Sequence, residues 1–289
     1  MMSTPVMPAG SFEVLFEFEE SAGIGLPEAF RAVYGGDWRL PCWDEYPYLC
    51  VNFVVSRDGR VSFGDPEHIG GVHVARFDPC DRWLMGLLRA RADAVLVGEG
   101  TLRTEPNHVW TAEDISPEDA EAFSALRQHE NRRTYPLQVV LTLSGDIPPG
   151  AAMLARPELR IVFATTATGA RHLRERVRGR EACVDVLELG ETEADIRRLV
   201  HALADRYAVR VLLCEGGPRV YGSLLRAGLP LDEFLTLSPL VLGDDDEGPP
   251  RPSLVEGVRF PSGSTPVPRL LSVRRAGDYL YLRSRYPSR

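Results

Sequence analysis

Two short glycine-bearing segments carry the clearest chemical content of the chain. The first is Glu215-Gly216-Gly217-Pro218-Arg219-Val220-Tyr221, directly after the apolar run Val209–Cys214. Paired glycines let backbone approach an anion closely, and the start of the helix that should follow offers free N–H groups and a positive dipole end. Arg219 adds a charge. This pattern suits a pyrophosphate, and it also suits a tight strand-to-helix turn. The second segment, Gly98-Glu99-Gly100-Thr101-Leu102-Arg103, follows the run Asp93–Val97. It lacks the full G-x-G-x-x-G of a Rossmann dehydrogenase. Two such turns in one sheet say more than either alone.

Composition narrows the chemistry further. Among 289 residues there are 33 cations and 41 acids, a net charge of −8, which disfavours generic nucleic-acid binding. Every cation is arginine. Without lysine there is no Schiff-base catalysis and no Walker-type P-loop. Cys42, Cys50, Cys80, Cys183 and Cys214 are odd in number and scattered, and the six histidines show no ligand spacing. No metal site is expected, and the thiols read as free cysteines of a reducing cytoplasm. No apolar run reaches the ~20 residues of a membrane helix, and the N-terminus has no secretory pattern.

The elements that must position the glycine turns are legible by their periods. Leu49–Val55, Asp93–Val97, Leu137–Leu143, Arg160–Ala164, Cys183–Leu187, Val209–Cys214 and Asp232–Leu237 read as buried strands. Asp78-Pro79 launches a helix to about Ala92. Thr192–Tyr207 repeats apolar residues at helical spacing, and a helix over 219–226 ends at Gly228. A weaker helix lies near 169–177. Residues 102–136 read as irregular with one helix launched at Ser116, and 243–268 as a loop. Arg269–Arg275 and Tyr279–Arg285 form a hairpin. The alternation predicts an α/β fold: a mostly parallel central sheet with helices on both faces and a C-terminal antiparallel hairpin. Residues 1–46 read as an N-terminal extension, with one strand beginning at Phe12 and an amphipathic segment near Pro27–Tyr34, packed either on a main domain spanning 47–289 or on a partner subunit.

An ordered set of short motifs, Pro47-Tyr48, Asn52, Ser56-x-Asp58-Gly59, the stretch Leu87–Arg103, Glu215-Gly-Gly-Pro, Asp232-Glu233 and Ser238-Pro239, resembles the reductase domain of bacterial riboflavin biosynthesis, a dihydrofolate-reductase-like family, over roughly residues 47–285. The resemblance implies an NADPH-dependent reductase acting on 5-amino-6-ribosylaminouracil 5′-phosphate. The alternatives are a same-fold reductase of another small heterocycle or imine, or a non-catalytic NADP-binding module. The resemblance further implies that Val55 and Ser56 border the nicotinamide. Gly98, Gly100, Thr101 and the turn Gly216, Gly217, Pro218, Arg219, Val220 and Tyr221 would hold the cofactor, with Ser144 at its adenosine end. Asn52, Asp58 and Glu215 would serve the reaction, and Arg89 and Arg103 the substrate. A homodimer through the C-terminal strands is also implied, since the hairpin would otherwise leave an open edge.

Each assignment has a physical counterpart. Asn52 interrupts an apolar strand, where an unpaired amide is costly. Asp58 either contacts substrate or caps its turn. Arg89 either clamps a phosphate or forms an internal ion pair. Arg103 suits either the cofactor 2′-phosphate or the substrate phosphate. Two segments depart from the family pattern: Arg103-Thr-Glu-Pro106, one residue short, and His68–Phe77. No zinc-deaminase signature is present, so reduction alone is expected.

Overall fold

The computed structural model describes residues 5, 11–18, 20, 22–43, 45–65, 67, 68, 70–245 and 248–288. Residues 1–4 and 6–10 of the extension, and Glu19 at the end of its first alternating stretch, lie outside them. In chain order the elements are β1 (Glu13–Glu17), α1 (Glu28–Tyr34), β2 (Tyr48–Val55), α2 (Gly71–Val74), α3 (Pro79–Arg91), β3 (Ala94–Gly98), α4 (Glu99–Thr104), α5 (Ala112–Ile115), α6 (Ala120–His129) and β4 (Leu137–Leu141). There follow β5 (Arg160–Thr165), α7 (Ala167–Arg176), β6 (Cys183–Glu188), α8 (Ile196–Tyr207), β7 (Val211–Cys214), α9 (Pro218–Ala227), β8 (Leu231–Leu237), β9 (Arg269–Ala276) and β10 (Tyr279–Tyr286).

One sheet runs β1-β9-β10-β8-β2-β7-β3-β4-β5-β6. From β8 to β6 every pairing is parallel, and the β9–β10 hairpin joins β8 antiparallel. Strand β2 lies at the centre with all eight residues buried, as continuous apolar strands covered on both faces require. Its alternation divides two cores. Tyr48 and Cys50 pack with Trp83, Leu87 and Phe123 on the α3 side. Leu49, Val51, Phe53 and Val55 pack with Leu199, Leu203 and Leu224 on the α8–α9 side.

Two differences from the sequence reading matter for the site. The stretch 99–104 is helical rather than a bare turn: Gly98 is the extended N-cap residue and Glu99 supplies a first-turn acid. The outer edge of the hairpin is not open, because β1 pairs antiparallel with β9. The free edge passes to β1, where Val14, Leu15 and Phe16 are exposed.

Buried arginines hold the extension in place. Arg91 donates to the carbonyls of Trp38 and Ile24 and pairs with Glu130 at 2.7 Å. Arg274 donates to the Tyr34 carbonyl at 2.8 Å and to Glu17 at 2.6 Å. Asp232, fully buried on β8, accepts from Tyr48 Oη at 2.7 Å, from Arg283 at 2.6 Å and from Arg285 at 2.6 Å. Arg283 and Arg285 also reach Glu20. Phe12, Phe30, Tyr34 and Trp38 complete the α3-side core.

Burial opposes ionisation of Asp232, but Arg283 and Arg285 outweigh it and hold its carboxyl below the usual carboxylate range. Its stabilisation is therefore present above pH ~4 and lost as pH falls through that lowered value. Asp232→Ala leaves buried Arg283 with Glu20 as its remaining acid partner, and denaturant unfolding at pH 7 should show a loss of about 3 kcal/mol. That loss should shrink at pH 3.

Candidate active site

A cavity of 1280 Å³ opens at the carboxyl ends of β2, β7 and β3, the place where open parallel sheets bind ligands. The two glycine turns meet there. Gly98 N donates to Gly216 O at 2.7 Å, and a Cβ on Gly98 would sit 3.0 Å from Val220 and 3.6 Å from Gly217 N. Gly216 has φ +93°, a conformation open to glycine, and a cis peptide bond joins it to Gly217. Gly217 is the N-cap of α9 with Pro218 at the first helical position. Its backbone is ordinary, and an added Cβ would project toward Thr101 Oγ1 at 3.5 Å.

Cations frame this end. Arg219 has 84% of its side chain exposed, with Glu256 at 4.0 Å. Arg103 is 54% exposed and makes only long contacts, 3.5 Å to Glu99 and 3.4 Å to the Asp146 carbonyl. Ser144 Oγ donates to the same Glu99 carboxylate at 3.2 Å.

The other end of the cavity is built on Asn52 and α3. Asn52 is 6% exposed, and its Oδ1 has no hydrogen-bond partner. Arg89 is fully buried and grips Glu215 through two parallel bonds, Nε to Oε1 at 2.8 Å and Nη2 to Oε2 at 2.7 Å. It also donates to the Thr111 carbonyl at 3.1 Å and to His108 Nε2 at 2.9 Å. A guanidinium only donates, so His108 accepts through Nε2. Burial and the Arg89 charge push the His108 imidazole down to about 3, so it stays neutral. Asp81 lies two turns before Arg89 on the same helix. Burial, with help from Asp78 and Glu215, raises its carboxyl to about 7. Burial likewise raises Glu105.

The fold thus gathers Asn52, Arg89, Arg103, Gly98, Gly100, Thr101, Ser144, Glu215, Gly217, Pro218, Arg219 and Val220 around one cavity. It turns others away. Val55 belongs to the α9-side core, because strand alternation sets it opposite Asn52 and Val54. Ser56 is buried in its turn, donating to Asp58 at 2.7 Å and accepting from Arg60 N at 2.9 Å. Asp58 clasps that turn to the backbone N–H groups of Leu242 and Gly243 at 2.9 and 2.7 Å. These bonds lower its carboxyl to about 2, the signature of a loop clasp. Gly216 gives its carbonyl to Gly98 and backs onto Phe53. Tyr221 stacks on Phe53 and donates to Glu233 beneath the sheet.

Asp81, Glu105 and His108 line the cavity and carry perturbed titrations. A signal for Asp81 existed: Asp81, Met85 and Arg89 stand at i, i+4 and i+8, one helix face. Glu105 and His108 sit in an irregular loop with no periodic signal.

The residues fit a dinucleotide at the glycine end. Two exposed cations held only by long contacts, a glycine at the N-cap of α9 beside Thr101, and an orphan amide oxygen deeper in are the features such a ligand would use. The raised Asp81 value has a thermal consequence. Between pH ~4 and 7 the folded state holds a proton that the unfolded chain has released, so stability falls as pH rises through that window. Asp81→Asn should melt close to wild type at pH 5 and above it at pH 8, by an amount equivalent to about 2–4 kcal/mol.

A family model described as the RibD C-terminal domain matches residues 47–278. A 2,5-diamino-6-ribosylamino-4(3H)-pyrimidinone 5′-phosphate reductase from Archaeoglobus fulgidus is 26% identical over 215 residues, 74% of this chain and 88% of that protein. The riboflavin biosynthesis protein RibD of Escherichia coli is 25% identical over 209 residues, 70% of this chain and 51% of its own length. Among solved structures, a pyrimidine reductase-like protein from Corynebacterium diphtheriae superposes with a TM-score of 0.61 at 22% identity, over 84% of this chain and 92% of that one. The family match over residues 47–278 and the likeness in fold agree: the chain belongs to the RibD C-terminal domain family, on an α/β fold with a mostly parallel sheet and a C-terminal antiparallel hairpin.

Proposed function

We propose that this protein is an NADPH-dependent reductase of 5-amino-6-ribosylaminouracil 5′-phosphate, yielding the ribitylamino product. The observation that carries the reading is the pairing, in one cavity, of the Gly98 and Gly217 turns with a buried Asn52 whose Oδ1 lacks a partner. An unpaired buried acceptor is costly unless a ligand completes it. The named relative from Archaeoglobus fulgidus supports the substrate class.

NADPH, when bound, supplies the hydride, and the protein's task is positioning. The N–H groups at the start of α9, with Arg219, hold the pyrophosphate. Arg103 and Ser144 meet the adenosine end. Asn52 orients the reacting centre. Glu215, fixed by Arg89, accepts from ribose hydroxyls. Arg89 has two of its donors committed to Glu215 and others to Thr111 and His108, so it serves substrate through Glu215. Asp81, whose carboxyl is raised to about 7, protonates the ring oxygen as the C1′–O bond breaks, takes up the exocyclic N–H proton as the C1′=N imine forms, and returns that proton to the nitrogen as C1′ is reduced. No helix among the described residues is long and apolar enough to cross a membrane, and we place the enzyme in the cytoplasm. We also infer a homodimer, with the exposed β1 edge as the surface in need of cover.

Turnover of ribosylaminouracil phosphate with NADPH, followed at the nicotinamide absorbance, is the direct test. No turnover despite tight NADPH binding would favour the alternative of another heterocycle. Gly217→Val should weaken NADPH binding in calorimetry by about tenfold or more while the melting curve stays near wild type. Asn52→Ala should lower kcat by about 10- to 100-fold with little change in NADPH affinity. Sedimentation near twice 32.1 kDa is expected, and a monomer would refute the dimer.

A further inference from the structure

The segment 68–77, which departs from the family pattern, places one side chain that the cofactor turns and buried acids leave unexplained. Phe77 lines the cavity with 65% of its surface exposed. Arg76 and Phe77 both stand in left-handed backbone, φ +53° and +58°. That region is uncommon for any side chain and an outlier for a bulky one, and such residues persist where surrounding bonds over-determine them. Here they do. Arg76 N donates to His73 O at 3.1 Å, Phe77 N to Val72 O at 3.0 Å and Asp78 N to Ala75 O at 3.0 Å. Tyr279 Oη, from β10, pins the Ala75 carbonyl at 2.9 Å.

The chain thus adopts a disfavoured backbone in order to hold an apolar ring out of the core, against the hydrophobic effect. The ring is backed by others. His73 meets it at 5.2 Å and 78°, His68 meets His73 at 5.2 Å, and Phe63 meets His68 at 5.3 Å. The bond to Tyr279 sets Phe77 on the hairpin side of β2, away from the glycine turns that follow β7 and β3. Asp78, Asp81 and Met85 line the cavity with it.

The geometry points to Phe77 as the platform on which the heterocyclic ring of the substrate stacks. A planar heterocycle has apolar faces and polar edges. A fixed aromatic surface covers a face, and the buried polar groups deeper in the cavity meet the edges. Naming that ring as the uracil of the ribosylamino phosphate rests on the reductase reading given above. Phe77 makes no contribution to proton transfer and acts on substrate affinity.

Four proteins decide the matter: wild type, Phe77→Ala, Phe77→Trp and Phe77→Gly. In Phe77→Ala the KM for the pyrimidine phosphate should rise about tenfold or more, the loss expected for one stacking contact. Its kcat and calorimetric NADPH affinity should stay near wild type. Phe77→Trp should keep a near-native KM. Phe77→Gly should share the KM defect yet melt above wild type, because glycine adopts the left-handed backbone freely. A Phe77 that merely supports the fold would give the reverse, a lower melting point with an intact KM, and that result overturns the platform. If wild type fails to turn over the pyrimidine, the substrate reading falls by itself. The platform is then judged by calorimetric binding of lumazine and pterin to NADP-loaded wild type and Phe77→Ala: weaker binding in the alanine variant upholds it, and equal or absent binding in both overturns it.

Discussion

The Arg89–Glu215 ion pair is the interaction on which the site depends. It bridges the last turn of α3 to the residue leaving β7, and its remaining donors fasten the loop through His108 and Thr111. A fully buried guanidinium is costly unless most of its donors are satisfied. Satisfying it brings together a helix, a strand end and an irregular loop that no apolar contact would align so specifically. The same bonds fix the Glu215 carboxylate beside the glycine turn, and burial together with the Arg89 charge keeps His108 neutral. The cavity wall is thus cross-linked by buried polar bonds within the protein itself, the kind of preorganisation that positioning requires.

Buried arginine does similar work elsewhere. Arg91, Arg127, Arg274 and Arg283 each lie inside the protein, and each donates to backbone carbonyls or to acids. A guanidinium presents several donors in fixed directions, where an ammonium offers a point charge. A chain whose every cation is arginine can therefore stitch loops and termini into the core. Residues 22–43 owe their place to this, and through them β1 covers the hairpin edge.

The cavity is electrically divided. Arg103 and Arg219 stand nearly free at the glycine end, the end suited to a dinucleotide's phosphates. Toward α3, Asp81 and Glu105 are raised by burial and sit among Val72, Met85 and Phe77. A carboxyl raised to about 7, as that of Asp81 is, can donate as well as accept near neutral pH. One end of the cavity therefore favours anionic groups, and the other favours a flat ring with mixed donors and acceptors.

Periodicity alone carried the sheet. Continuous apolar runs, capped helices and the hairpin signal determined an α/β fold with parallel strands, because burial on both faces leaves no other pattern for β2, β3 and β7. The glycine turns were legible for the same local reason, and Asn52 stood out as an amide in an apolar strand. What local pattern could not decide is which side chains share space. Asp58 follows Asn52 closely in sequence, yet it clasps Leu242 and Gly243, more than 180 residues away. Tyr221 follows the glycine turn by four residues, and helix geometry rotates it under the sheet to Glu233. Arg89 could have met a phosphate or an acid, and only the crossing of α3 over β7 chose Glu215, 126 residues distant. The periods of 2 and 3.6 residues are properties of the chain itself, whereas a contact between distant residues is a property of packing, and the chemistry of this cavity lives on the second.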